Sequence, residues 1–158
     1  MSGDRVAEKG HLDPTNAAFA DVVFEVLRRG HSVRFRAKGS SMHPTIREGE
    51  AITVAPAQPA GIRRGDVILV RSARGVIAHR VVSVTRGADG SFAYVLRGDA
   101  ATASDEPVEE SAVLGRVVAA QRGGRIASLG GLRAETVGAA RALVARFLRR
   151  VRAWLGVP

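Results

Sequence analysis

The residues best suited to chemistry are a serine in a short polar loop and a histidine in a downstream apolar segment. Ser41 lies in Lys-Gly-Ser-Ser-Met-His-Pro-Thr at 38–45, and His79 lies in Val-Ile-Ala-His-Arg-Val-Val at 76–82. A serine hydroxyl is a poor nucleophile unless a base within hydrogen-bonding distance accepts its proton. Histidine suits that role because an imidazole is largely neutral near pH 7. The pair therefore predicts nucleophilic catalysis, with Ser41 as the nucleophile and His79 as the general base.

Further motifs follow the serine loop in a fixed order along the chain. These motifs are Ser41-Met42-His43-Pro44-Thr45 followed by Gly49-Glu50, then Gly65-Asp66 before an apolar strand, then His79-Arg80-Val81-Val82, and finally Gly98-Asp99 with Asp105. Together they resemble the type I signal peptidase family, the serine endopeptidases that remove signal peptides. Any one motif alone would be weak evidence, whereas the ordered set from about residue 33 to residue 120 is specific.

The resemblance implies a role for an acidic residue beside the histidine. Most bacterial members of the family carry lysine as the base, whereas the endoplasmic-reticulum and archaeal type carries histidine, as at His79. In the histidine type an aspartate from the last motif orients the imidazole. Asp105 and Asp99 are both candidates here; we prefer Asp105 and expect Asp99 to shape its Gly-Asp turn. The motif departs from the family at Ala100, where asparagine is common.

The resemblance also implies how the oxyanion and the substrate are held. The backbone N–H of Ser41 is the expected oxyanion donor. Many family members add a serine hydroxyl two residues before the nucleophile, but this chain has Gly39 there. The adjacent Ser40 is the candidate replacement. Met42 and Pro44 occupy candidate substrate-binding positions of the motif, although for Met42 we favour packing beneath the loop over contact with substrate.

Structural explanations compete for the other candidate residues. His79 lies between Ile77 and Val81, so it could be a core histidine on an apolar strand. Lys38 could act as a lysine base, but it lies only three residues before the serine and we expect it to be exposed to solvent. His43 is also close in sequence, and we expect it at the surface. Both aspartates could simply be turn residues.

Composition limits the classes of function. The chain of 158 residues is long enough for one domain with a core, and it contains no cysteine, which excludes disulfides and thiolate metal sites. Its four histidines and its carboxylates lack metal-ligand spacing, so we predict no metal or other cofactor. The net charge of +9 is carried almost entirely by arginine. This charge favours anionic partners, or it reflects an arginine-rich composition without functional meaning.

Hydrophobic periodicity predicts a mainly β protein. After a polar tail at 1–14, an amphipathic helix is expected at 15–29, capped by Asp13 or Thr15. Strands are predicted at 32–37, 50–55, 66–71, 75–85, 92–97, 113–121 and 125–129. Their spacing predicts a curled antiparallel sheet, and the resemblance implies a signal-peptidase or LexA-like β domain covering 15–130.

The C-terminal segment predicts a second amphipathic helix. Residues 133–156 place apolar side chains between 137 and 155 on one stripe, with arginines largely off it. Such a helix packs on its own domain, binds a partner or lies in a membrane interface.

The helix at 15–29 is too short and too charged to span a bilayer, and no secretory signal is evident. We therefore expect a cytoplasmic protein, with peripheral attachment at the inner face of the membrane as an alternative.

Three functions from different classes are consistent with these features. The leading interpretation is a serine endopeptidase that cleaves a signal, leader or precursor peptide after a small residue. The alternative is a peptide-binding module of the same fold that has lost the chemistry. A DNA-binding autoproteolytic regulator is less favoured, because residues 1–30 hold one helix rather than a helix-turn-helix domain, so no specific nucleic-acid partner is predicted. The oligomeric state is not predicted.

Overall fold

The computed structural model describes residue 14 and residues 16–73 and 75–129. The helix is α1 (Ala17–Arg28), and the strands are β1 (Val33–Arg36), β2 (Ala51–Ala55), β3 (Val67–Ser72), β4 (Gly75–Arg86), β5 (Phe92–Arg97), β6 (Val108–Glu109), β7 (Val113–Arg122) and β8 (Arg125–Ser128). The predicted mainly β class is confirmed, because these strands form one sheet in which every pairing is antiparallel.

The sheet is not ordered as the chain is. Its strand order is β1-β2-β7-β3-β4-β5-β6, and β8 pairs with β7 beside this path. Irregular pairing interrupts the register at Thr53/Val54 on β2, at Leu69/Val70 on β3 and between Val81 and Ser83 on β4. An extra residue in one strand bends that strand and increases the local twist. These irregularities are consistent with the predicted curl of the sheet.

Buried side chains lie on both faces of the sheet. On β3, Val67 and Leu69 join one hydrophobic cluster, whereas Ile68 and Val70 join the other. This alternation follows from strand geometry, since successive side chains point to opposite faces. The first cluster includes the buried side of α1, and the second includes Tyr94 of β5. β3 is therefore covered on both sides, which accounts for its run of apolar residues.

The helix α1 covers the first cluster. Its buried residues recur at helical spacing, and Phe19 packs edge-on against Phe35 of β1 with ring centroids 4.9 Å apart. The N-cap is Asn16, whose side-chain oxygen accepts the N–H of Ala18 at 2.9 Å. The predicted cap at Asp13 or Thr15 is therefore wrong. The cap residue must precede the first helical turn directly, and the helix begins later than predicted.

The predicted strands agree with the observed ones to within two residues at each end, but β6 was not predicted because two residues carry no readable periodicity. Most of the predicted tail, at 1–13, and the predicted helix at 133–156 lie outside the described residues. Within the described part of the chain, no helix has both the length and the apolar character needed to cross a bilayer.

Candidate active site

The serine loop is held by its apolar residues while the serine stays exposed. The loop leaves β1 through Gly39, whose φ of 82° is a backbone conformation that side chains disfavour. Met42 and Ile46 are 5% and 3% exposed and belong to the first hydrophobic cluster. The N–H of Ile46 donates to the carbonyl of Met42 at 2.9 Å, which closes the turn. Burial of these residues fixes the loop, and Ser41 lies on its exposed side.

His79 on β4 faces this serine. Its Nε2 lies 3.1 Å from the Ser41 hydroxyl oxygen, which is hydrogen-bonding distance. Its Nδ1 contacts a carboxylate oxygen of Asp105. The His79 side chain is only 12% exposed, yet both ring nitrogens have polar partners. This arrangement differs from that of a histidine packed only among apolar neighbours.

Asp105 comes from the loop that follows β5. Its backbone N–H donates to the carbonyl of Leu96 at 2.8 Å, which brings the loop back alongside the end of β5. A carboxylate at Nδ1 keeps the proton on that nitrogen, so that Nε2 presents its lone pair to the serine hydroxyl. The described residues thus bring Ser41, His79 and Asp105 into one hydrogen-bonded chain.

Asp99 has different partners. Arg80 donates to its two carboxylate oxygens from Nε at 2.7 Å and from Nη2 at 2.6 Å, and the Thr45 hydroxyl donates to it as well. Arg80 also donates from Nη1 to the carbonyl of Gly65 at 2.8 Å. The hydrogen-bonded Arg80 guanidinium lowers the pKa of Asp99 from its ordinary value, and the Thr45 hydroxyl adds to this against the effect of burial. We name Arg80, Asp99 and Thr45 the aspartate clamp.

The turn beside the clamp contacts the serine backbone. Ala100 donates its N–H to the carbonyl of Ser41 at 2.9 Å. A Cβ at Gly98 would lie 2.5 Å from the same carbonyl oxygen and 3.2 Å from Nε2 of His79. Only glycine therefore fits between the serine loop and the histidine. Arg80, Thr45 and Gly98 were not predicted as site residues; the charged Arg80 within an apolar strand was the available signal.

The backbone N–H of Ser41 donates to no acceptor within the described residues. Ser40 is exposed, and its carbonyl accepts the N–H of His43 at 3.0 Å. Both positions are compatible with the expected oxyanion roles. Lys38 is exposed, as expected, and lies at the edge of a pocket beside the serine.

That pocket has a volume of about 140 Å³ and is mostly apolar. Its lining includes Phe35, Met42, Ile46, Leu69, Ile77 and Ala78, together with Ser41. The expected position of Met42 is thus compatible with the structure, because it is both buried in the core and part of the pocket wall.

Pro44 does not line this pocket. Its carbonyl instead accepts a hydrogen bond from Nη2 of Arg122 at 3.0 Å, and it follows a cis peptide bond after His43. The predicted substrate contact at Pro44 is therefore not found in this pocket. The proline lies past the exposed serine, on the side of the loop that β7 contacts.

Along one edge of β4 next to the site, the described residues place no neighbouring strand, although the N–H of Val76 donates to the carbonyl of Pro14 at 3.2 Å. β3 pairs with β4 along its whole first half, but β5 pairs with it only from Arg80 onward. Val81 exchanges backbone hydrogen bonds with the β3 side, so the alternation of an antiparallel ladder turns the N–H and C=O of Val76 and Ala78 to the other side. We call Val76 and Ala78 the open edge of β4. Both residues line the pocket.

Comparison with models of known protein families gives no match, and no curated protein is significantly similar to the chain. Among the described residues, no three histidine, cysteine or carboxylate side chains are grouped as metal ligands.

Proposed function

We propose that this protein is a serine endopeptidase of the signal-peptidase type, which cleaves a signal, leader or precursor peptide. The observation that carries the proposal is the chain from the Ser41 hydroxyl to His79 at 3.1 Å and on to Asp105. A nucleophile, a base and an orienting acid in series are the geometric signature of serine hydrolysis on unrelated folds.

In the proposed mechanism, Ser41 Oγ attacks the carbonyl carbon of the scissile peptide bond while Nε2 of His79 takes the hydroxyl proton. The carbonyl electron pair moves to the oxygen, which the backbone N–H of Ser41 stabilises. The C–N bond then breaks as the imidazolium returns its proton to the leaving amine. Water, activated by the same base, hydrolyses the acyl ester and regenerates Ser41. Asp105 stabilises the imidazolium throughout.

The open edge of β4 supports an extended peptide as the substrate. An extended chain could add to this edge through the N–H and C=O of Ala78, next to the base. The pocket of about 140 Å³ beside Ser41 would then receive the side chain before the scissile bond. Because this pocket is small and apolar, we propose cleavage after a small apolar residue.

The fold is consistent with this assignment. A curled antiparallel sheet that carries the serine loop after its first strand and the base on a later strand is what a signal-peptidase-like domain requires. The aspartate clamp supports it further, because it joins the serine loop, the base strand and the Gly98-Asp99 turn.

The proposal is tested by acylation with a fluorophosphonate, read by intact mass. Wild-type protein is expected to gain a single adduct. Ser41→Ala should gain none, and His79→Ala should label at least about a hundredfold more slowly, because general-base catalysis contributes about 10²–10⁴-fold. Cleavage of peptides with alanine before the scissile bond should follow the same order.

Two matched variants control for changes that only remove a side chain. Ser83→Ala removes an exposed serine from β4, and His43→Ala removes an exposed histidine near the nucleophile. Both should label at the wild-type rate. Labelling of Ser41→Ala at that rate would refute the proposal. If wild type gains no adduct but retains peptides specifically, the result would favour a peptide-binding module without catalytic activity. This module is the second candidate because Gly39 lacks the side-chain oxyanion donor.

A further inference from the structure

Ile77 on β4 is a large apolar side chain that the described part of the fold leaves exposed. It is 40% exposed, although its partner across the ladder, Val70, is 3% exposed. β5 pairs with β4 only from Arg80 onward, so no described strand lies beside Ile77 on that side. A single exposed isoleucine is ordinary on a protein surface. This one, however, also lines the pocket that contains Ser41.

The alternation of β4 divides the open edge between two faces of the sheet. Val76 and Ala78 pack against the first hydrophobic cluster, whose members line most of the pocket. Ile77 projects to the opposite face, and so does His79, two residues further along. The ladder partner of Ile77, Val70, belongs to the second cluster. The base and Ile77 therefore share a face that the pocket residues Val76 and Ala78 do not.

A peptide added to the open edge must show the same alternation. The side chain that enters the pocket lies on the face of Val76 and Ala78. The scissile bond lies at Ser41 and His79, so the preceding residue extends along the edge away from His79. Its side chain projects to the other face, which is the face of Ile77. This placement is the same for a parallel and an antiparallel peptide, because side chains alternate in both.

We propose that Ile77 forms a second subsite, which selects an apolar side chain at the second residue before the scissile bond. The subsite rests on the proposed peptidase function and narrows its substrate class. An apolar side chain placed over Ile77 removes both surfaces from water, which a serine or a lysine does much less. Apolar pairs across neighbouring strands favour the apolar residue by up to about fivefold.

The subsite is tested with peptides that share alanine before the scissile bond and carry valine, serine or lysine before that alanine. In wild type, kcat/KM should be about fivefold higher for the valine peptide than for the serine peptide. Ile77→Thr keeps a branched side chain suited to a strand, and it should reduce this ratio below about twofold. Ile77→Glu should favour the lysine peptide over the valine peptide by about fivefold, because opposite charges pair across strands.

The reversal in Ile77→Glu is the decisive readout, since a loss of stability alone does not reverse an order of preference. Ile126→Thr is the matched control. Ile126 is also exposed on a strand, at 53%, but it lies on β8 and does not line the pocket. This control should keep the wild-type ratio. Equal kcat/KM for the valine and serine peptides in wild type, or an unchanged ratio in Ile77→Thr, would refute the subsite.

Binding of the same peptides to Ser41→Ala separates the subsite from the chemistry. Their dissociation constants, measured by fluorescence anisotropy, should follow the order of kcat/KM in wild type, and adding Ile77→Thr should remove that order. If wild type neither cleaves the peptides nor is acylated, the peptidase proposal fails, whereas the dissociation constants still decide the subsite. Equal affinities for the three peptides would overturn it.

Discussion

The two aspartates of the site have different neighbours, and this difference separates their roles. Asp105 contacts Nδ1 of His79, whereas Asp99 is engaged by Arg80 and Thr45. Asp105→Asn should preserve the fold but favour the wrong tautomer of His79. We expect a loss of about 10³–10⁴-fold in acylation and cleavage rates. Thermal unfolding measured alongside should change little, since the Asp105 side chain is 40% exposed.

Asp99→Asn is the matched variant for that experiment. It removes the charge that holds Arg80 while leaving the contact at Nδ1 of His79 in place. Its main effect should therefore be on stability, with a smaller loss of activity than Asp105→Asn. A larger loss of activity than in Asp105→Asn, at unchanged stability, would contradict the assignment of Asp105 as the partner of the base.

Gly98 tests how closely the serine loop and the base are packed. In Gly98→Ala the new Cβ would lie 2.5 Å from the carbonyl oxygen of Ser41 and 3.2 Å from Nε2 of His79. The loop or the imidazole must then move, and a displacement of about 1 Å can reduce a rate about a hundredfold. Gly61→Ala is the control, because a Cβ there meets nothing within 4 Å. Comparable acylation rates in both variants would argue against this packing.

Some residues of the site could be predicted from the sequence, and others required the structure. Ser41 and His79 could be singled out because an ordered set of motifs surrounds them. The sequence gives only a slight preference for Asp105 over Asp99, since both lie in one polar loop and only the three-dimensional path separates them. Thr45 could not be predicted as a clamp residue, because its partner is 54 positions away.

At the level of elements, the aspartate clamp joins three segments that are distant in sequence. Thr45 belongs to the serine loop, Arg80 to β4 and Asp99 to the turn after β5. Removing a hydrogen-bonded charge from such a partly buried pair lowers the free energy of unfolding by about 2 kcal/mol. Asp99→Asn should show this loss by urea denaturation at pH 7. The exposed Glu48→Gln should change stability by less than about 0.5 kcal/mol.

The clamp also predicts a dependence of stability on pH. The pKa of Asp99 is lowered in the folded protein, chiefly by its hydrogen bonds to Arg80. The contribution of ionised Asp99 to the free energy of unfolding is complete above the ordinary aspartate pKa of about 3.9. It is lost as the pH falls through the lower pKa that Asp99 has in the folded protein. The difference in unfolding free energy between wild type and Asp99→Asn should therefore be constant from pH 7 to about pH 5 and shrink below about pH 4. A difference that grows on acidification would contradict it.

The strands were more predictable than their pairing. Alternation and turn residues such as Gly123-Gly124 locate the long strands. Local patterns do not show that β5 stops pairing with β4 at Arg80, because that limit depends on where the chain leaves the sheet. The open edge of β4 could therefore not be predicted, although both residues that form it lie in a predicted strand.

At the scale of the whole molecule, β3 separates two cores with different relations to the site. Leu69 faces the first core and lines the pocket, whereas Ile68 faces the second core. Each substitution to alanine should lower stability by about 2–5 kcal/mol. Only Leu69→Ala should enlarge the pocket and shift preference, by about tenfold in kcat/KM, from alanine toward valine or leucine before the scissile bond.

Ile68→Ala is the control for that shift, since it removes the same kind of buried side chain from the other face of the same strand. Peptide libraries cleaved by both variants would give the comparison. An equal change of preference in the two variants would mean that the pocket at Ser41 does not select the substrate side chain. The insertion of β7 between β2 and β3 is a feature of topology that periodicity does not reveal.

Because His79 and Arg80 are adjacent on one strand, the site should be sensitive to the length of the hairpin that precedes this strand. Neighbouring residues of a strand project to opposite faces, so β4 presents His79 on one face and Arg80 on the other. Deletion of a single residue in the hairpin between Ser72 and Gly75 would shift β4 by one position against β3. Arg80 would then occupy the position of His79 opposite the serine, and Val81 would occupy the position of Arg80 in the clamp. The number of residues in this hairpin is thus as strict a requirement for the proposed chemistry as the identity of Ser41 and His79.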